Sequence, residues 1–172
     1  LRFQEALVQD PNYAPAYAGL GEAYWRKYNA TKETNWIDVA RRHCSRALQL
    51  DSQLAPARVT LGILYAGAGE HDKAIDEFKQ ALLLDPINSH AYRELAQAYE
   101  KKGLLQEAEA TFRKAINMHP NYWATHNALG TFYYRSGQYP KAEKCFLQVI
   151  ELTPDNYSVY RNLGGLYSLM ER

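Results

Sequence analysis

Four cations stand on a fixed step in the second half of the chain: Arg93 and Lys101, then Arg135, then Arg161, with the amides Gln97 and Asn127 between them. Arg93, Asn127 and Arg161 are 34 residues apart, and Lys101 and Arg135 keep the same step. Guanidinium, ammonium and carboxamide groups are donors that could hold an extended peptide's carbonyls or its acidic side chains. Tyr134, and earlier in the chain Trp25 beside Arg26, add flat apolar surface. The competing reading is a set of solvated surface charges partly paired with Glu94 and Glu100, and both readings stand at this point.

The remaining reactive residues point to no catalytic or metal chemistry. His43, His71, His90, His119 and His126 show no metal-ligand spacing, and His43-Cys44 lacks a second cluster. Gly67-Ala-Gly69-Glu-His-Asp-Lys73 resembles a phosphate loop superficially, but it follows a helical pattern and lacks the terminal Gly-Lys-Ser/Thr, so it reads as an interhelix turn. No serine, cysteine or lysine has a base and an orienting partner in its own stretch of chain. The expectation is no enzyme, no cofactor and no metal.

The elements that must carry these side chains follow from periodicity. Leu61, Leu95, Leu129 and Leu163 recur every 34 residues, as do Tyr65, Tyr99, Tyr133 and Tyr167. With Ala55 as the first position of a unit, Leu61, Gly62, Tyr65, Gly69, Ala74, Phe78, Ala81 and Pro86 are matched in the next by Leu95, Ala96, Tyr99, Gly103, Ala108, Phe112, Ala115 and Pro120. A third unit repeats them as Leu129, Gly130, Tyr133, Gly137, Ala142, Phe146, Val149 and Pro154. Within each unit the apolar residues are three and four apart, which places them on one face of each of two helices. Gly69, Gly103 and Gly137 lie where the first helix must stop, Pro86, Pro120 and Pro154 close the second, and Pro140 suits a first helical turn. Glycine inside a helix costs about 1 kcal/mol relative to alanine. Gly21, Gly62, Gly130 and Gly164 therefore predict close helix contacts, with Ala40, Ala74, Ala108 and Ala142 as the small partners.

These residues resemble the tetratricopeptide repeat (TPR) family, over essentially the whole chain. The resemblance implies an all-α, right-handed superhelical solenoid of antiparallel helix pairs, expected as one domain. It divides into a half repeat 1–13, repeats 14–54, 55–88, 89–122 and 123–156, and a half repeat 157–172. Repeat 14–54 completes about seven residues late, and the polar stretch Asn29 to Asn35 predicts a longer interhelix loop, either a ligand-contacting lip helped by Trp25, Tyr28 and Trp36 or a tolerated insertion. Arg58 and His126, standing where an aromatic is usual, and Ser52, where proline is usual, predict looser local packing.

The resemblance also implies that first-helix positions 2, 5, 9, 12 and 13 line a concave groove. Carried onto this chain, the groove residues are Trp25, Arg26, Arg93, Gln97, Lys101, Asn127, Tyr134, Arg135 and Arg161. The clamp by which one branch of the family holds the terminal carboxylate of chaperone tails is absent, since its positions carry Arg93 and Gln97, then Ala128, then Ser158 and Asn162. An asparagine ladder is missing too, because position 6 runs Gly19, Thr60, Glu94, Ala128 and Asn162. The implied function is a protein-interaction scaffold binding a peptide or partner segment, within a larger multi-domain protein. The stretch from Ala14 to Leu61 looks like the TPR tails of bacterial signalling proteins, which would make this a regulatory or docking arm.

Composition bounds the partners. Twenty Lys and Arg against 19 Asp and Glu, a formal charge of +1, supply no broad positive field for nucleic acid. RNA-reading helical repeats also have a slightly longer period and a regular polar code that this chain lacks. No apolar run reaches the roughly 20 residues of a membrane span, so no membrane insertion is expected. Two cysteines in different repeats argue against a disulfide framework and for a reducing, cytoplasmic setting. The chain opens at Leu1 as if in mid-helix, so any leader or upstream domain is expected outside it. The alternative role is a spacer or assembly element. Its ground is that Leu163, Leu166, Tyr167 and Met170 at one end, and Leu1, Phe3 and Leu7 at the other, would lack covering helices and favour end-to-end self-association.

Overall fold

Apolar residues at helical spacing, closed by glycine or proline, give ten helices among the described residues. The computed structural model describes residues 2–171. In chain order the helices are α1 (Arg2–Gln9), α2 (Ala14–Thr31), α3 (Asn35–Leu50), α4 (Ala55–Gly67), α5 (His71–Leu84), α6 (Ser89–Lys101), α7 (Leu105–Met118), α8 (Trp123–Arg135), α9 (Tyr139–Leu152) and α10 (Tyr157–Leu169). They pair as α2 with α3, α4 with α5, α6 with α7 and α8 with α9, each pair joined by three residues. The chain divides into two compact units, Leu1–Ile87 and Asn88–Arg172.

The hairpin turns have one chemistry. Gly69, Gly103 and Gly137 take φ of 78°, 82° and 71°, a region other residues reach only with strain. The N–H of the next residue then bonds back to the repeated tyrosine, as Glu70 to Tyr65 O, Leu104 to Tyr99 O and Gln138 to Tyr133 O, each at 2.9 Å.

In unit 1 the long loop expected over Asn29–Asn35 does not form. α2 has 18 residues where the other first helices have 13, and α3 has 16 where the other second helices have 14, so the seven extra residues are absorbed as helix. The connection keeps three residues because Lys32 adopts the left-handed conformation, φ 61°, and donates its N–H to Tyr28 O at 2.7 Å. A column of rings holds the lengthened pair together. Tyr17 faces His43 at 5.9 Å, His43 stacks on Tyr24 at 5.3 Å, Tyr24 stacks on Trp36 at 5.5 Å, and Lys27 Nζ sits 3.7 Å over the Trp36 ring. Lys32→Gly is expected to stabilise unit 1 by up to about 1 kcal/mol, seen as a higher urea midpoint, because it removes the left-handed strain. A lower midpoint would mean that the Lys32 side chain outweighs that strain.

The core of this unit holds Ala40, Cys44, Leu61 and Leu64, with Tyr24, Trp25, Ile37, Leu48 and Tyr65 against them. Burial pushes the Cys44 thiol up to about 12, and that of Cys145 in unit 2 up to about 11, so both stay protonated at neutral pH.

Unit 2 is built around Phe112, Phe132, Phe146, Leu129, Tyr133, Val149, Val159, Leu163 and Leu166. Leu163 and Leu166 were expected to lie uncovered, but both are buried, because α10 turns them onto the α8–α9 core. Tyr157, Tyr160 and Leu169 are the exposed large hydrophobic residues of α10. At the other end Phe3 is exposed, as expected, and Leu1 lies outside the described residues.

Two further expectations need correction. Gly62 and Gly130 make room for the second helix's phenylalanine and not for its alanine, whereas Gly21 faces both Cys44 and the backbone carbonyl of Ala40. A Cβ on Gly62 would lie 2.6 Å from the Phe78 ring, one on Gly130 2.7 Å from the Phe146 ring, and one on Gly21 would overlap Cys44 Sγ. A Cβ on Gly164 meets nothing within 4 Å. Arg58 and His126 do not loosen their repeats either. Tyr17 at the same position donates to Pro11 O at 3.2 Å, and Arg58 Nη2 and His126 Nε2 make the equivalent bond to the carbonyl six residues back, Ser52 O at 3.0 Å and Pro120 O at 2.7 Å. A polar side chain of sufficient reach replaces the aromatic without losing that tie.

Candidate functional site

The 34-residue step brings six of the nine expected groove residues onto one stretch of surface in unit 2. The first depression, about 360 Å³, lies between α6 and α8. Arg93, Glu94 and Gln97 line it from α6, and Trp123, Ala124, Asn127, Ala128, Thr131 and Arg135 from α8. The second, about 330 Å³, is lined by Thr131, Tyr134 and Arg135 of α8, Phe146 of α9, and Arg161, Asn162 and Gly165 of α10. Thr131 and Arg135 line both, so the two depressions adjoin at α8.

Three expected residues fall elsewhere. Lys101 is exposed at the end of α6 and lines neither depression. Trp25 and Arg26 belong to unit 1, where Trp25 packs on the core and lies 5.3 Å from Tyr28. Arg26 there pairs with Glu22 at 2.6 Å.

Most of the charge at the site is internally matched. Arg93 donates to Glu94 Oε1 through Nη2 at 2.8 Å and Nε at 3.3 Å. Arg135 grips both oxygens of Glu100 with two bonds of 2.8 Å, tying α8 to α6. The pairing with Glu94 and Glu100 raised from sequence is therefore real for these two arginines. Arg161 and Lys101 make no ion pair or side-chain hydrogen bond among the described residues. Asn162 Nδ2 donates to Asn127 Oδ1 at 3.2 Å, a single amide bridge from α10 to α8 where no extended ladder exists.

Burial alone would raise the Glu94 carboxyl, but hydrogen bonds from His90 and Arg93 and the charge of Arg93 outweigh it and hold the group below its ordinary value. A depressed carboxyl stabilises the fold above its unfolded pKa, and that contribution is lost as pH falls through the lower folded value. Urea midpoints are expected to fall between about pH 5 and 3, and Glu94→Gln to flatten that part of the curve. An unchanged slope in the variant would show that other carboxylates carry the acid sensitivity.

Sequence reasoning missed Trp123, which is partly exposed at the first depression. A signal was present: the first position of each unit runs Ala14, Ala55, Ser89, Trp123 and Tyr157, so the last two units carry an aromatic where the first three carry a small residue.

The comparisons with known proteins agree with this architecture. Two tetratricopeptide repeat models match residues 59–122 and 103–166, together more than half of the chain. The chain belongs to the tetratricopeptide repeat family. Superkiller protein 3 of Schizosaccharomyces pombe is 25% identical over 135 residues, which cover 59% of this chain and 10% of that protein. The chain thus spans about a tenth of the length of that curated relative.

Among solved structures, a thermophilic TPR protein of Thermus thermophilus superposes with a TM-score of 0.81 at 16% identity, over 95% of this chain and 86% of that one. YrrB, described as a TPR protein with an unusual peptide-binding site, gives 0.66 at 22% identity, over 98% and 84%. The first TPR of Spaghetti, bound to an HSP90 peptide SRMEEVD, gives 0.62 at 24% identity, over 71% and 97%. No helix among the described residues is long and apolar enough to cross a membrane.

Proposed function

We propose that this chain is a protein-interaction scaffold and that α6, α8 and α10 hold an extended segment of a partner protein. The observation that carries the reading is the pair of adjoining depressions, built by side chains that repeat at the family's own period and supplied with amide, guanidinium and aromatic groups. Successive packed helices lie about 8–10 Å apart. A segment in the polyproline II conformation rises about 3.1 Å per residue and returns to the same face every third residue, so side chains three residues apart reach neighbouring depressions. The likeness to YrrB and to the peptide-bound Spaghetti repeat supports peptide binding over catalysis.

The test is to pan a displayed random-peptide library on the chain and on Thr131→Arg, which fills the shared wall of both depressions. Enrichment is expected on the first and not on the second, with equal helical content by circular dichroism. Equal enrichment on both would place binding elsewhere.

A further inference from the structure

We propose that the second depression is a side-chain socket selecting peptides in which a bulky apolar residue stands next to a carboxylate. Tyr134, Phe146 and Gly165 receive the apolar side chain, and Arg161 receives the anion. This inference rests on reading α6, α8 and α10 as a peptide-binding face.

Gly165 sets the width of the depression. It sits inside α10, where glycine is destabilising relative to alanine. At Gly62 and Gly130 a neighbouring ring forbids a Cβ, whereas a Cβ on Gly165 would have as its sole neighbour Tyr134 Oη at 3.8 Å, an ordinary contact. Packing within the chain does not demand glycine there, and its φ is not positive. What the missing side chain does is keep the depression open between the Tyr134 ring and the α10 backbone.

Charge fixes the second half of the specificity. Of the arginines lining the two depressions, Arg93 is committed to Glu94 and Arg135 to Glu100. Arg161 has no such partner among the described residues and stands at the apolar depression. A carboxylate entering the face therefore meets an available guanidinium only at Arg161. Beside it, Asn162 spends one N–H on Asn127 and keeps its carbonyl oxygen and a second N–H. That donor and acceptor match a peptide bond, which favours a peptide over a small free acid.

The experiment titrates the 15N-labelled chain with a synthetic nonapeptide of Gly and Ser carrying Phe-Glu at its centre, and with the Ala-Glu and Phe-Gln versions. Phe-Glu is expected to shift the amides of Thr131, Tyr134 and Gly165. The Ala-Glu peptide should bind about tenfold or more weakly, as expected for loss of a buried aromatic. Phe-Gln should bind about threefold more weakly, since an exposed ion pair adds little.

Gly165→Leu, which plugs the socket, should lose binding by about tenfold with an unchanged or higher thermal midpoint. Arg161→Gln should erase the preference for Phe-Glu over Phe-Gln, while Arg93→Gln should keep it. Equal binding of Phe-Glu and Ala-Glu, or Phe-Glu binding that survives in folded Gly165→Leu, overturns the socket. Should Gly165→Leu fail to fold, a preference retained in Arg161→Gln overturns it equally. Shifts confined to Arg93, Gln97 and Asn127 would overturn the socket and leave the peptide-binding face standing. No shift in either depression, with these peptides or with library-selected ones, would remove both.

Discussion

Phe146→Ala is expected to lower the unfolding free energy by about 3–5 kcal/mol, read from urea denaturation followed by helical circular dichroism. The ring is 1% exposed and lies against the bare backbone of Gly130, so truncation opens a cavity that neither α8 nor α9 can close. Phe146→Leu keeps most of the volume and should cost less than about 1.5 kcal/mol. Gly130→Ala tests the other side of the contact. Repeat 89–122 carries Ala96 and Phe112 at the matching positions, both fully buried, so a small shift of the ring accommodates a methyl group there. Gly130→Ala should therefore cost far less than the ring truncation, its clash offset by alanine's helix propensity. Because a repeat array transmits a loss mainly to its neighbours, the Phe146→Ala transition should also broaden. A loss under about 1 kcal/mol with a sharp transition would refute the wedge account of Phe146.

The same contact shows why so much of the fold was legible. A repeat exposes its pairings by recurrence: Gly62 with Phe78 and Gly130 with Phe146 keep one separation, and three positive-φ glycines mark three turns. Recurrence misleads where it is interrupted. The run Asn29 to Asn35 lacks both period and glycine and reads as loop, yet Lys32 can take the glycine's conformation and the rings of Tyr24 and Trp36 reward a longer hairpin. Neither fact follows from one-dimensional spacing.

The site divides in the same way. The face on which Arg93, Asn127 and Arg161 lie follows from the 34-residue step, but their electrostatic state does not. Arg93 finds its carboxylate one residue away, Arg135 finds its own 35 residues back, and Arg161 finds none among the described residues. Three residues of one type on one stripe thus have two different chemical roles. Only the one without a carboxylate is available to a ligand.

Arg135→Ala is accordingly expected to act on stability more than on ligand charge. Glu100 is 11% exposed and receives two bonds from a guanidinium that is 47% exposed. The pair is therefore worth more than the 0–1 kcal/mol of a surface bridge and less than the 3–5 kcal/mol lost when a fully buried pair is broken. A loss of about 2 kcal/mol in Arg135→Ala is the expected result, because the carboxylate it leaves behind stays largely desolvated. Arg135→Ala combined with Glu100→Ala should recover about half of that, so that a double-mutant cycle reports favourable coupling between the two side chains. Arg135→Lys, a single-point donor in place of a planar fork, should fall between. The bridge ties α6 to α8, so its loss loosens the wall common to both depressions, and peptide affinity should drop without any change in preference for acidic over neutral sequences. A selective loss of acidic peptides in Arg135→Ala would instead show that Glu100 releases this guanidinium to the ligand, and would move the anion site from Arg161 to Arg135.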